Sequence, residues 1–231
     1  MLKKLVESLK TLARTPQGVD PAIFNDPLAL EVEWVPLKGG GANLKTHKLV
    51  SKGPGRLEFR VSGGATVFYL IFFVIGVGAM LGATGYYLFQ NGFTFNGEDF
   101  HRSIMLTIFG LLFGTPGAAM LYFGSMPQVF DKERGYFWRG WKEPNRFGMP
   151  EEGPKLLIPL EDIHALQLLA ERVSGSKSSF YSYELNLILT SGERVNVVDH
   201  GNWRQLQKDT EKIAELIQIP IWDAIPPHAR S

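Results

Sequence analysis

Two long apolar runs near the middle of this chain, residues 66–88 and 104–124, constrain its fold more than any other feature. Between Thr66 and Gly124 the only Asp, Glu, Lys or Arg side chains are Glu98, Asp99 and Arg102, all in the segment joining the runs. A helix rises about 1.5 Å per residue, and a bilayer core takes roughly 20 predominantly apolar residues to cross. Each run has that length. About ten Leu, Ile, Val and Phe in the first run, at about −0.5 kcal/mol each on an insertion scale, outweigh its glycines, and no charge opposes them. The sequence therefore predicts a membrane α+β protein whose residues 65–124 form a two-helix transmembrane hairpin.

Charge distribution sets the expected orientation. About ten Lys or Arg precede the first run, among them Lys52, Arg56 and Arg60, and Lys132, Arg134, Arg139 and Lys142 follow the second. The connecting loop from Asn91 to Arg102 holds one. By the positive-inside rule both termini face the cytoplasm and the protein is multi-pass in a bacterial inner membrane. Tyr86, Tyr87, Phe89 and Phe93 mark the outer interface in this reading. Net charge is only +1 in 231 residues, so no global field points to nucleic acid. The chain has no cysteine, which excludes disulfides, a thiolate nucleophile and Cys-containing zinc sites.

Glycine spacing within the runs supplies the first candidate functional residues. Gly78 and Gly82 in the first, and Gly110 and Gly114 in the second, form small-xxx-small pairs that let helix backbones approach closely. Hairpin packing is the expected use, with homo-oligomerisation through the same faces as the rival. Pro116 is expected to kink the second helix. Neither run carries an Asp, Glu, Lys, Arg or His, which argues against a self-sufficient ion carrier.

Outside the hairpin the patterning is mixed. Residues 1–20 read as a short amphipathic helix (Leu2, Leu5, Val6, Leu9, Leu12) ended by Thr15-Pro16, and charges at Glu7 and Lys10 break the apolar core a signal peptide needs. Residues 21–64 read as a small β segment with strands at Leu28 to Leu37, Thr46 to Val50 and Leu57 to Val61, too small for a good core alone and so expected to pair with the C-terminal domain. The stretch GGGANLKTHK lacks the Gly-Lys step and following helix of a phosphate loop, so it reads as a hairpin turn. Residues 125–231 read as antiparallel strands closed by an amphipathic helix, with Asn202 as N-cap, Gln205 three residues on and Pro220 as the stop.

The stretches VFDKERGYFWRGW, IPLEDIHALQLL, YELNLIL and RVNVVDHG, with the ending IPIWD, resemble a group of functionally uncharacterised bacterial inner-membrane proteins. These pair a two-helix hairpin with a cytosolic pleckstrin-homology-like (PH-like) domain. The resemblance spans roughly Gln128 to Asp223. It implies a non-enzymatic role in binding a protein or a lipid headgroup, with no cofactor. Lys132, Arg134, Arg139 and Lys142 alternate here with Asp131, Glu133 and Glu143.

Remaining chemistry is sparse. No two of His47, His101, His164, His200 and His228 have the i, i+4 spacing of a helical zinc site. Asp199-His200 is the most enzyme-like pair, but neighbours on a strand point to opposite faces. Trp138, Arg139, Trp141 and Lys142 are membrane-interface candidates, since amphipathic rings and basic side chains favour that depth; the alternative is a strand with one of the two tryptophans in the core. The sequence thus points first to a membrane-anchored adaptor, assembly factor or accessory subunit with membrane lipids and a protein partner or second copy as ligands. An oligomeric transport or channel component and a membrane enzyme using Asp199 or His200 are the alternatives.

Overall fold

The structure, a computed structural model, describes residues 19–37, 39–41, 45–93, 97–144, 154–174 and 179–230. The amphipathic helix expected over residues 1–20 lies almost wholly outside these, as does part of GGGANLKTHK. The chain divides into two compact units, Arg60–Met126 and the remainder.

The first unit is a helical hairpin. Helix α1 (Gly63–Asn91) begins where the Ser62 side chain accepts a hydrogen bond from the Ala65 amide, and ends at Gly92, which takes the left-handed φ of +58° that glycine tolerates best. Helix α2 (Gly97–Phe123) starts with Glu98 and Asp99 in its first turn, where carboxylates favour the positive helix end. It therefore begins seven residues before the apolar run, and Arg102 stands on a helix rather than in a loop. Pro116 lies inside α2, which continues through it. Both helices are long and apolar enough to cross a membrane, with mean hydropathies of 2.2 and 1.8 over their most apolar windows. Most of each window is not buried within the protein. Val74, Leu81, Met105 and Leu112 project outward.

The second unit contains two sheets and a helix. Strands β1 (His47–Gly53), β2 (Arg56–Val61), β3 (Gln128–Asp131), β4 (Tyr136–Arg139) and β5 (Leu156–Pro159) form one sheet in sequence order. Strands β6 (Ile163–Ser174), β7 (Ser179–Leu189), β8 (Arg194–His200) and β9 (Ile221–Asp223) form the other, ordered β8-β7-β6-β9, with β9 parallel to β6. Register aligns Leu57, Phe130, Phe137 and Ile158 in one row across the first sheet. That row packs with Leu166, Leu168, Leu185 and Leu187 of the second sheet, and with Leu206 and Ile213 of helix α3 (Trp203–Ile217). Asn202 caps α3 by accepting from the Gln205 amide at 3.0 Å.

The strands before the hairpin pair with those after it, as their small number leads one to expect, whereas the stretch ahead of them departs from the sequence pattern. Strands β1 and β2 share a sheet with β3 to β5, so the N-terminal segment and the C-terminal strands form one folded body. The alternation over Leu28 to Leu37 is not a strand. It is a strap of two 3-10 turns, Pro21–Phe24 and Pro27–Leu30, each opened by an aspartate side chain (Asp20, Asp26) and a proline, followed by irregular chain. Its apolar residues Ala29, Val32 and Trp34 lie on the outer face of the second sheet against Ala165, Leu169, Ile188 and Trp222. Alternation thus marks a chain laid across a sheet, with side chains instead of a strand ladder binding its backbone. The Leu37 amide donates to Glu184, Gln167 donates to the Glu33 carbonyl, and Arg194 donates to the Val35 carbonyl.

Candidate functional site

The hairpin seam is built from glycine, but not from the four glycines that spacing selects. A Cβ placed on Gly76 would stand 2.0 Å from the Gly114 backbone nitrogen, and one on Gly117 would stand 2.4 Å from that of Phe73. One on Gly110 would meet the Gly76 carbonyl oxygen at 2.6 Å. The seam therefore runs through Gly76, Gly110, Gly114 and Gly117. Gly78 and Gly82 point away from it, and a Cβ at either would meet nothing within 4 Å. At about 100° per residue, Gly78 lies roughly 200° around α1 from Gly76, so only one of them can face α2. Towards the loop end, Ser103 donates to the Ala83 carbonyl, and the Thr84 and Thr107 hydroxyls are 3.3 Å apart.

The membrane-interface candidates divide. Trp138 is 1% exposed and lies beneath the Arg56 guanidinium, 5.1 Å from its ring centre. Arg139 turns into the β unit, where Nη2 donates to Gln128 Oε1 at 2.8 Å and to the Asn196 carbonyl. Burial pulls its pKa below the usual guanidinium value, partly offset by the Asp199 charge. Both residues are thus committed to the domain interior, because this part of the first sheet is covered on both faces. Trp141 and Lys142 are exposed. The buried partners Gln128 and Asn196, distant in sequence from each other, gave no local signal.

The basic residues of the β3–β4 region are matched by acids. Arg56 pairs with Glu58 at 2.8 Å, Asp131 at 3.4 Å and Glu143 at 2.7 Å, while Arg134 pairs with Glu143 at 2.8 Å and Asp131 at 3.6 Å. Two guanidiniums face three carboxylates, so the cluster holds the β3–β4 turn to the start of the following loop and presents little positive field. An open cleft of about 450 Å³ beside it is lined by Lys132, Arg134, Tyr136 and Glu161, again of mixed charge.

Asp199 and His200 are placed apart in function. Asp199 accepts from Asn196 Nδ2 at 3.1 Å, and its carbonyl accepts from Thr46. His200 is fully buried, and its Nδ1 accepts from the Asn202 amide at 2.9 Å, an arrangement that requires the neutral ring. Burial and the nearby Lys45 charge lower its pKa. Asp209 on α3, which sequence patterning did not single out, is also buried. Its Oδ1 accepts from Gln205 at 2.9 Å, and among the described residues Oδ2 meets no hydrogen-bond donor in good geometry. Burial raises its pKa. Among the described residues no group of three His, Asp or Glu is placed to hold a metal ion.

These two groups set opposite pH dependences. The folded pKa of Asp209 lies above its unfolded value of about 3.9, so its contribution is most favourable below that pH and is lost as pH rises through the folded value. The folded pKa of His200 lies below about 6.5, so its contribution is present above that pH and is lost as pH falls through the folded value. Asp209→Asn keeps an acceptor for Gln205 and removes the buried charge. It is expected to raise stability at pH 7 by about 1 kcal/mol, or about 2–4 °C in Tm for a domain of this size, and to give no gain near pH 4. Thermal melts at the two pH values check this.

No family model, curated protein or solved structure matches this chain.

Proposed function

We propose that this protein is a membrane-anchored adaptor, assembly factor or accessory subunit without catalytic activity. In this reading the hairpin crosses the bacterial inner membrane twice and holds a PH-like β domain at its cytoplasmic side for a protein partner. The observation that carries the reading is the path of the chain. The hairpin interrupts one sheet between neighbouring strands β2 and β3, whose Phe59 and Gln128 are register partners. Segments before and after it fold into the same body, so whatever the hairpin enters, it must leave on the side it came from. The Lys and Arg excess flanking the hairpin selects the cytoplasmic side.

Protein binding is favoured over headgroup binding because Arg56 and Arg134 are already matched by Glu58, Asp131 and Glu143. An enzymatic role for Asp199 and His200 is disfavoured by their placement. A general base must come within hydrogen-bond reach of its substrate, and the His200 ring is buried with Nδ1 occupied. A second copy of the chain is the other partner with an observation in its favour, since Gly78, Gly82 and Gly85 leave one face of α1 without side-chain bulk.

Photo-crosslinking from exposed positions Ile23, Trp141, Glu211 and Leu81 in native membranes separates these. A discrete adduct to a different protein from Ile23, Trp141 or Glu211 is the expected result. An adduct of twice the chain mass from Leu81 selects the self-associating form. No protein adduct from any of the four contradicts the adaptor reading.

A further inference from the structure

At the loop end of the hairpin a cavity of about 300 Å³ opens between α1 and α2, with Tyr86, Tyr87, Gln90, Asp99, Arg102 and Leu106 in its lining. Its volume is at the lower end of the range for small-molecule sites. Asp99 and Arg102 stand three positions apart on α2, close enough for a helical ion pair. Yet among the described residues neither side chain takes part in an ion pair or hydrogen bond. One cavity thus presents an acidic and a basic side chain, both exposed and without a protein partner among the described residues. The ligand complementary to it carries an anionic group and an ammonium group a few bonds apart.

Depth identifies the source of such a ligand. Tyr87 lies 21 residues beyond Thr66, about 32 Å along the helix and comparable to the roughly 30 Å of a hydrocarbon core. The cavity therefore opens where headgroups begin, and Leu106 and Ala83 give its lining an apolar part suited to the start of acyl chains. Tyr86, 69% exposed, has the amphipathic ring favoured at that level. We propose that this cavity binds the headgroup of a zwitterionic aminophospholipid, with the phosphate on Arg102 and the primary ammonium on Asp99. The assignment rests on the hairpin crossing a membrane.

Native mass spectrometry of the full chain in mild detergent tests it with phosphatidylethanolamine, phosphatidylcholine and phosphatidylglycerol of identical acyl chains. Phosphatidylethanolamine should be retained about tenfold over phosphatidylglycerol, which has the phosphate but no ammonium, and several-fold over phosphatidylcholine, whose ammonium has no N–H donor. Asp99→Asn should bring the first preference close to one without weakening phosphatidylglycerol. Arg102→Gln should weaken all three about tenfold. Helical circular dichroism confirms that each variant keeps the hairpin. Equal retention of phosphatidylethanolamine and phosphatidylglycerol overturns the assignment, as does a preference that survives Asp99→Asn. Displacement by equimolar water-soluble phosphoethanolamine overturns the lipid as its source. Release of the chain from membranes by alkaline carbonate overturns this proposal and the membrane reading together. A chain that resists carbonate but shows no lipid preference overturns this proposal alone.

Discussion

Leucine in place of Gly76 is expected to force the two helices of the hairpin apart. The Cβ alone would stand 2.0 Å from the Gly114 nitrogen, 2.4 Å from its Cα and 2.7 Å from the Gly110 oxygen. All three are backbone atoms, which cannot swing aside as a side chain can. Within lipid there is little hydrophobic drive to hold helices together, so close packing and interhelical hydrogen bonds supply the association. Separation forfeits the contacts along Gly110, Gly114 and Gly117, with an expected cost of about 2–4 kcal/mol. The readout uses the absence of native cysteine. In a Thr84→Cys/Thr107→Cys background, whose parent hydroxyls are 3.3 Å apart, oxidation should form a disulfide readily. Gly76→Leu should slow that bond at least tenfold, an effect equivalent to about 1.4 kcal/mol. Gly78→Leu, with open space around its Cβ, should leave the rate unchanged. Equal rates for the two variants would contradict the seam.

Removing the Trp222 side chain should cost the β unit about 3–5 kcal/mol, a large part of the roughly 5–15 kcal/mol that stabilises a domain. Trp222 is 1% exposed on β9, with ring centres of Trp34 at 5.8 Å, Phe24 at 6.0 Å and His164 at 5.7 Å. Phe24 and Trp34 stack at 4.9 Å on the strap itself. Trp222 is therefore the point where the strap grips the second sheet, and Trp222→Ala leaves a cavity that its β neighbours cannot close. The hydrogen bonds of Glu184, Gln167 and Arg194 to the strap backbone and the 2.7 Å contact of His164 with Asp26 remain, but none of them fills the space the ring leaves. Denaturant unfolding of the full chain in detergent should show the lost stability. Limited proteolysis should cut first within residues 19–37. A loss under about 1 kcal/mol with an uncut strap would show that another contact holds it.

How legible this structure was depends on how local each signal is. The two long helices follow from run length and missing charge, and β1, β2 and most C-terminal strands follow from alternation bounded by turn residues. Gly-Val-Gly at residues 76–78 hides which glycine faces α2, because one residue type sits on both sides of the helix. The strap shows the reverse problem. Val32 and Trp34 alternate with Glu31 and Glu33 as a strand would, yet Pro27 and the aspartate caps belong to turns. Beside a membrane run the sequence leaves open which of Trp138 and Trp141 enters the core and makes Arg139 look interfacial, and only the partners Arg56, Gln128 and Asn196, brought together by the fold, draw Trp138 and Arg139 inside. Asp99 and Arg102 read as loop charges until α2 begins at Gly97 and sets them on one wall of a cavity with Tyr86.

In the proposed reading the hairpin crosses the lipid and returns to the side it left. An impermeant maleimide applied to intact cells tests it with two single-cysteine variants of the otherwise cysteine-free chain, Phe93→Cys at the hairpin tip and Glu211→Cys on α3. The Phe93 variant should react in intact cells, while the Glu211 variant should react only after lysis. Labelling of the Glu211 variant outside, or equal labelling of both, would contradict it.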